Sequence, residues 1–184
     1  MAEPRSTPKP KILIPEVEIH RRVKELAAQI DHDYQDSDRL ICIGVLKGSV
    51  FFLVDLLQQV RKPVIVDFFQ TSSYGSGTEP GEVRIRKDID VSVRGADVLL
   101  VEDIVDTGHT LRTILGLMRW RGARSVKLCA LLDKATRREV DVPIDYLGFP
   151  IDDVFVVGYG LDYDEYYRNL PYIGFLEPET GDSP

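Results

Sequence analysis

An α/β fold with a mostly parallel central sheet flanked by helices is predicted by three observations. Apolar runs of strand length alternate along the chain with stretches of helical period, the βαβ pattern. One run, Val98–Val101, is apolar without a break, as suits a strand covered on both faces. The runs also end repeatedly in charge or glycine, as strands do when their carboxyl ends open on a site. With 184 residues, 43% of them hydrophobic, the chain is long enough for one well-buried core, and a single domain is expected.

Residues 1–10 are rich in proline and polar groups and are expected to form a flexible tail. Lys11 to Ile14 reads as a short strand, and Pro15 with Glu16 suits a helix's first turn. Ile19, Val23, Leu26, Ala27 and Ile30 mark the buried face of that helix, which is expected to end in the acidic stretch Asp31 to Asp38. Leu40 to Leu46 is a buried strand, broken by Lys47, Gly48 and Ser49 before a helix carrying Phe52, Leu53, Leu56 and Leu57. Val64 to Gln70 is a further strand. The segment TSSYGSGTEPGE, residues 71–82, holds too little apolar surface to order itself firmly and reads as a mobile loop. Its GxG is not a dinucleotide fingerprint, because Pro80 stands where a helix is required.

Val83 to Ile89 can pair with the preceding strand, and Arg94, Gly95 and Ala96 turn the chain into the central one. Leu111, Ile114, Leu115 and Met118 define the next helix, ending near Trp120 with Gly122 as its stop. Ser125 to Leu132 is another buried strand, followed by Asp133, Lys134, Arg137 and Arg138. Asp145 to Phe149 and Val154 to Val157 are short strands. Tyr159, Tyr163, Tyr166, Tyr167 and Tyr172 follow, and read as packing for a small terminal layer.

The formal net charge of -7 argues against general attraction to nucleic acid. No apolar run approaches the ~20 residues of a spanning helix, and the polar start is no signal peptide, so a cytoplasmic protein without membrane contact is expected. Cys42 and Cys129 lie in apolar runs without CxxC spacing, which suggests neither disulfides nor zinc. His20, His32 and His109 offer no pair at metal-ligand spacing.

The chemistry concentrates at the end of the central strand. Glu102, Asp103 and Asp106 crowd three like charges into five positions, from which packing gains nothing. Thr107, Gly108, His109 and Thr110 then lead into a helix. Gly108 can adopt positive φ, the threonines offer hydroxyls, and the helix N-terminus offers free N–H groups, which together suit a phosphate. The plainer reading is that Asp106 and Thr107 cap a helix while Glu102 and Asp103 are merely solvated.

This stretch resembles the phosphoribosyl diphosphate (PRPP) signature of the type I purine phosphoribosyltransferase family. LKGS, SSYGSG, VEDIVDTG, LLDKATRR and FVVGYGLDYDEYYR occur in the order, and with about the spacing, of its bacterial hypoxanthine-guanine branch, and are spread over most of Leu40 to Leu176. The resemblance implies one phosphoribosyltransferase domain over residues 11–184. Its core spans about 38–140, and its small hood comes from 11–37 and 141–184. It implies transfer of the 5-phosphoribosyl group from PRPP to N9 of hypoxanthine or guanine, giving IMP or GMP and pyrophosphate, by a homo-oligomer (dimer or tetramer).

By resemblance, Glu102 and Asp103 hold the ribose hydroxyls, and Asp106 is the catalytic group beside purine N7. Asp106, Thr107, Gly108, His109 and Thr110 hold the 5'-phosphate. Lys47, Gly48 and Arg168 hold the pyrophosphate, and Ser73 and Tyr74 belong to a closing loop. Lys134, Phe155, Val156 and Asp162 meet the purine. Mg²⁺ is implied on Glu102, Asp103 and Asp162, since this cation takes oxygen ligands and keeps several waters. Lys134 carries the discrimination, because an ammonium group only donates and so suits a 6-oxo oxygen rather than adenine's amine.

Rival readings fare worse. A P-loop nucleotidase needs GxxxxGK[ST], which is absent. A phosphoaspartate receiver does not account for Thr107 to Thr110 together with Lys134. An RNA-binding regulator of this fold needs a basic face, against 30 acidic and 23 basic residues. A xanthine-preferring relative differs only in contacts near C2 of the base, which the sequence does not position.

Overall fold

The computed structural model describes residues 9–73 and 83–176. In chain order the elements are β1 (Lys11–Ile14), α1 (Glu16–Asp33), β2 (Leu40–Leu46), α2 (Val50–Gln59), β3 (Ile65–Ser73) and β4 (Val83–Lys87). They continue with β5 (Asp97–Val105), α3 (His109–Trp120), β6 (Ser125–Asp133), β7 (Tyr146–Pro150), β8 (Val156–Val157) and β9 (Ile173–Phe175). The main sheet has the order β4-β3-β2-β5-β6-β7, with β4 antiparallel at one edge and every other neighbouring pair parallel. A second sheet, β1-β9-β8, joins the two ends of the described chain in antiparallel pairs.

Side chains of the buried strands divide between the two faces with the period of two that a pleated strand imposes. Leu40, Cys42, Leu99, Val101, Cys129 and Leu131 pack with α1 and α2 through Ile19, Val23, Leu26, Phe52 and Leu53. Ile41, Ile43, Val98, Leu100, Leu128 and Ala130 pack on the other face against Leu111, Ile114, Leu115 and Met118 of α3. The uninterrupted apolar run at Val98–Val101 thus has helices over both faces. Both cysteines are free and buried, and burial pushes the Cys42 thiol up to about 12.

Four expectations change. The central strand continues past Val101 to Val105, because β6 is long enough to pair with it, Glu102 facing Ala130 and Val105 facing Asp133. The segment read as a loop from residue 71 begins as strand, with Thr71 opposite Ile85 and Ser73 opposite Val83. Strand β9 was not foreseen: three residues centred on Gly174 carry too little local signal, and their partner β1 lies at the far end of the chain. Of the tyrosines assigned to packing, Tyr159 is buried and donates its hydroxyl to Asp55 at 2.7 Å, whereas Tyr163 and Tyr166 are exposed.

The start of β5 is fixed by Asp97, which is 6% exposed. Its carboxylate accepts from Arg124 Nε at 3.0 Å, from the Ser125 hydroxyl at 2.7 Å, and closely from a second Arg124 nitrogen. The Arg124 contact, with smaller help from Ser37 and Ser125, holds the Asp97 carboxyl well below the ordinary range against the opposing effect of burial. Asp97→Ala is expected to lower the unfolding free energy by about 1–3 kcal/mol in urea at neutral pH. A depressed carboxyl stabilises above its unfolded-state value, so the difference from wild type should shrink as pH falls below about 4. A difference independent of pH would contradict this account.

Candidate active site

Strand order reverses between β2 and β5, since the chain adds β3 and β4 on one side of β2, and β5, β6 and β7 on the other. Clefts in open α/β sheets form beyond the carboxyl ends of strands at such a switch point. Here the turn after β2 meets the end of β5 with no room to spare. A Cβ built on Gly48 would lie 1.6 Å from Oδ2 of Asp103, so only glycine lets that carboxylate approach the Lys47–Ser49 turn. Gly160, at φ +102°, closes from the third side: a Cβ there would lie 1.9 Å from the Gly48 carbonyl oxygen. The buried Ser49 hydroxyl donates to the Val45 carbonyl at 2.7 Å and fastens the turn to its strand.

Glu102 and Asp103 sit half-buried where these segments converge. Burial pushes the Asp103 carboxyl up to about 6, opposed by the Ile104 amide, which donates to Oδ1 at 3.0 Å, and by the charge of Arg168. Glu102 is raised well above the usual range by burial and then by the charge of Asp103, and its Oε2 is shielded from solvent without a partner.

Asp106 to Thr110 form the next turn. Gly108 takes a left-handed conformation, φ +90°, as the residue capping α3, whose first N–H groups have no carbonyl within the helix to accept them. The Thr107 carbonyl accepts from the Glu139 and Val140 amides at 3.1 and 3.2 Å, anchoring the turn from behind. The His109 ring pairs with Glu139 at 2.8 Å.

Lys47, in the turn after β2, and Arg168 share a carboxylate partner. Lys47 Nζ contacts both oxygens of Glu165, at 3.0 and 2.9 Å. Arg168 reaches Asp162 at 2.7 Å, Glu165 at 3.2 Å and the Gly160 carbonyl at 2.7 Å. Beyond β6, Lys134 is 8% exposed, with its ammonium 3.5 Å from Asp153. Arg137, one helical turn on, donates to Asp106 at 3.1 Å and lies 3.7 Å from the other Asp153 oxygen. Phe155 is 52% exposed, with Tyr163 edge-on at 5.6 Å, while Val156 is buried in β8.

Of the residues singled out in the sequence, Lys47, Gly48, Glu102, Asp103, Asp162 and Arg168 are gathered around the switch point. Asp106 and Lys134 are linked through Arg137 and Asp153. Ser73 ends β3, and Tyr74 lies outside the described residues. Glu165, Arg137 and Asp153 had no assigned role, and short-range pattern offered none: their partners are distant in sequence, or exposed residues among many charges. Among the described residues, no three His, Cys, Asp or Glu side chains are grouped so as to hold a metal ion by themselves. No helix there is long and apolar enough to cross a membrane.

The carboxylates of Glu102 and Asp103 and the cations Lys47 and Arg168 thus stand together at the switch point, beside the Asp106–Thr110 turn that opens α3. Residues 16–164 match the model of the phosphoribosyl transferase domain, and the chain belongs to that family. More particularly, it is 50% identical over 174 residues to the hypoxanthine-guanine phosphoribosyltransferase of Bacillus subtilis, covering 94% of this chain and 96% of that one. It is 49% identical to the hypoxanthine phosphoribosyltransferase of Salmonella typhimurium, over 89% of this chain and 93% of that one. A solved hypoxanthine phosphoribosyltransferase from Staphylococcus aureus superposes with a TM-score of 0.88 at 47% identity, covering 94% of each chain.

The raised Asp103 has a consequence for stability. The folded chain keeps that proton up to about pH 6, whereas an unfolded aspartate releases it near pH 4, so wild-type stability falls as pH rises through this window. Asp103→Asn removes the penalty and is expected to be about 1–2 kcal/mol more stable than wild type above pH 7, the gain fading below about pH 4. Urea unfolding at the two pH values checks this, and a variant less stable at both would contradict it.

Proposed function

We propose that the protein transfers the 5-phosphoribosyl group of PRPP to N9 of hypoxanthine or guanine, releasing pyrophosphate and forming IMP or GMP. The observation that carries this reading is the disposition of groups about the switch point. Carboxylates and a phosphate-type turn stand at the centre, cations stand on the Lys47 and Arg168 side, and a near-buried lysine with an exposed aromatic ring stands on the β6–β8 side. The relatives named above, half identical over almost the whole chain, support the same reaction.

In this reading Glu102 and Asp103 accept hydrogen bonds from the ribose hydroxyls. Positive charge develops on the ribose as its bond to pyrophosphate breaks, and a carboxylate floor that needs no reorganisation complements it. Thr107, Gly108, His109 and Thr110, with the amides opening α3, hold the 5'-phosphate. Asp106 accepts the hydrogen bond or proton at purine N7 while N9 forms the new bond to the anomeric carbon. Lys134 donates to the 6-oxo oxygen, Phe155 covers the purine face, and the Val156 backbone meets its outer edge. Lys47, Gly48 and Arg168 hold the departing diphosphate. Ser73 and Tyr74 help to exclude water from the bound substrate, and the β1-β9-β8 sheet serves as the hood.

The site also suits Mg²⁺. This ion takes oxygen donors and is commonly bound by one or two carboxylates with substrate phosphates, so it needs no all-protein cage. The unpaired, shielded Oε2 of Glu102 beside Asp103 is the kind of donor it accepts, and Glu102, Asp103 and Asp162 would hold it. When bound, it supplies neutralisation of the diphosphate's charge.

Initial rates with PRPP and Mg²⁺ against hypoxanthine, guanine, xanthine and adenine test the proposal. Turnover of the first two and little of adenine is expected. Asp106→Ala should cost about 10²–10⁴ in kcat. Lys134→Ala should raise the KM for hypoxanthine by about tenfold or more and erode discrimination against adenine. Folded protein that binds PRPP yet turns over no base would overturn the proposal.

A further inference from the structure

Lys47 and Arg168, read above as the diphosphate contacts, are both engaged by one carboxylate. Glu165 places an oxygen 3.0 Å and another 2.9 Å from Lys47 Nζ, and the second of these lies 3.2 Å from an Arg168 nitrogen. One anion bridging two cations in this way does what a phosphate group of the substrate is expected to do. The Lys47 contact, then that of Arg168, also lowers the Glu165 carboxyl below its ordinary value, so it stays charged.

The local backbone delivers Glu165 to this position. Tyr163 and Tyr166 exchange amide hydrogen bonds at 3.2 and 3.0 Å, which closes a two-residue turn over Asp164 and Glu165. Both turn residues have positive φ, +52° and +67°, the signature of a hairpin turn in which glycine or asparagine sits more easily. The Glu165 amide donates to Asp162 at 2.9 Å, which fixes the turn against the residue that also pairs with Arg168. The turn therefore carries a carboxylate, in a conformation unfavourable to glutamate, directly onto a lysine 118 positions away.

We infer that Glu165 is a positioning residue that stands in for the diphosphate: it holds Lys47 and Arg168 in place and competes with the diphosphate group of PRPP and with product pyrophosphate for them. The inference rests on the phosphoribosyl-transfer reading. Entering diphosphate displaces the Glu165 side chain, which is exposed and free to swing into solvent. When pyrophosphate departs, the carboxylate returns to both cations, and this exchange of one anion for another promotes release. The competition weakens binding of substrate and product alike, so its removal tightens both.

The experiment is product inhibition by pyrophosphate against PRPP, with Mg²⁺ present and hypoxanthine saturating, in wild type, Glu165→Gln and Glu165→Ala. Both variants should lower the inhibition constant for pyrophosphate by about 3- to 10-fold, the size expected from removing two exposed ion pairs. They should lower the KM for PRPP in the same direction and leave the KM for hypoxanthine unchanged. The gain should shrink at high ionic strength and in a Lys47→Ala background, where the contested cation is missing. A merely structural role for the turn would loosen binding, not tighten it. Pyrophosphate inhibition unchanged or weaker in both variants, with hypoxanthine turnover retained, overturns this inference alone. A wild-type protein without turnover and without pyrophosphate inhibition overturns the underlying reaction as well.

Discussion

A carboxylate of Asp103 pressed against the Gly48 backbone, where any Cβ would lie 1.6 Å from its oxygen, is the contact on which the rest of the site depends. It lies where the paired strands β2 and β5 end, at the point where strand order reverses, and Gly160 closes the same junction from the third side. Burial at this junction also raises the Asp103 carboxyl to about 6. A fold optimised for stability alone gains nothing by holding Glu102 and Asp103 together in a half-buried strand end.

Around that junction most of the other charges are paired, and most of the pairs are partly exposed. Lys47, Glu165, Arg168 and Asp162 form one group of ion pairs, and Asp106, Arg137, Asp153 and Lys134 another, most pairs with at least one member substantially exposed. Exposed pairs contribute at most about 1 kcal/mol each. They orient side chains without locking them, which suits groups that must exchange an internal partner for a phosphate or a purine edge. The apolar layers on the two faces of the sheet supply the rigidity these pairs do not.

The small second sheet has a different dependence on the chain. Strands β1, β8 and β9 are two to four residues long and come from opposite ends of the described segment, so none of them is stable until the main sheet has assembled. Val156 takes its place in β8 through that pairing, and the Phe155 carbonyl accepts from the Leu176 amide at 3.1 Å. Tyr159 adds a tie, its buried hydroxyl bonded to Asp55 of α2. The exposure of Tyr163 and Tyr166 follows from the tight turn they flank, which faces the cations instead of packing into the layer.

Much of this was legible in the residues themselves. An apolar run with helices of the right period on either side reads as a central parallel strand, and carboxylates followed by a Gly/Thr turn read as a ligand loop, because those signals are local and chemical. Lys134 and Phe155 became meaningful only through the likeness of whole segments, since an isolated lysine or phenylalanine carries no such signal. Local pattern was enough for the two-faced sheet, the helix positions and the identity of the groups at the strand ends. Which polar groups meet came from the packed chain: Glu165 with Lys47 across 118 positions, Arg137 with Asp106, and Asp103 with the Gly48 backbone. Periodicity records which face of an element is buried, but the partner of a polar side chain depends on strand order and loop geometry, and these are settled only when the whole chain packs.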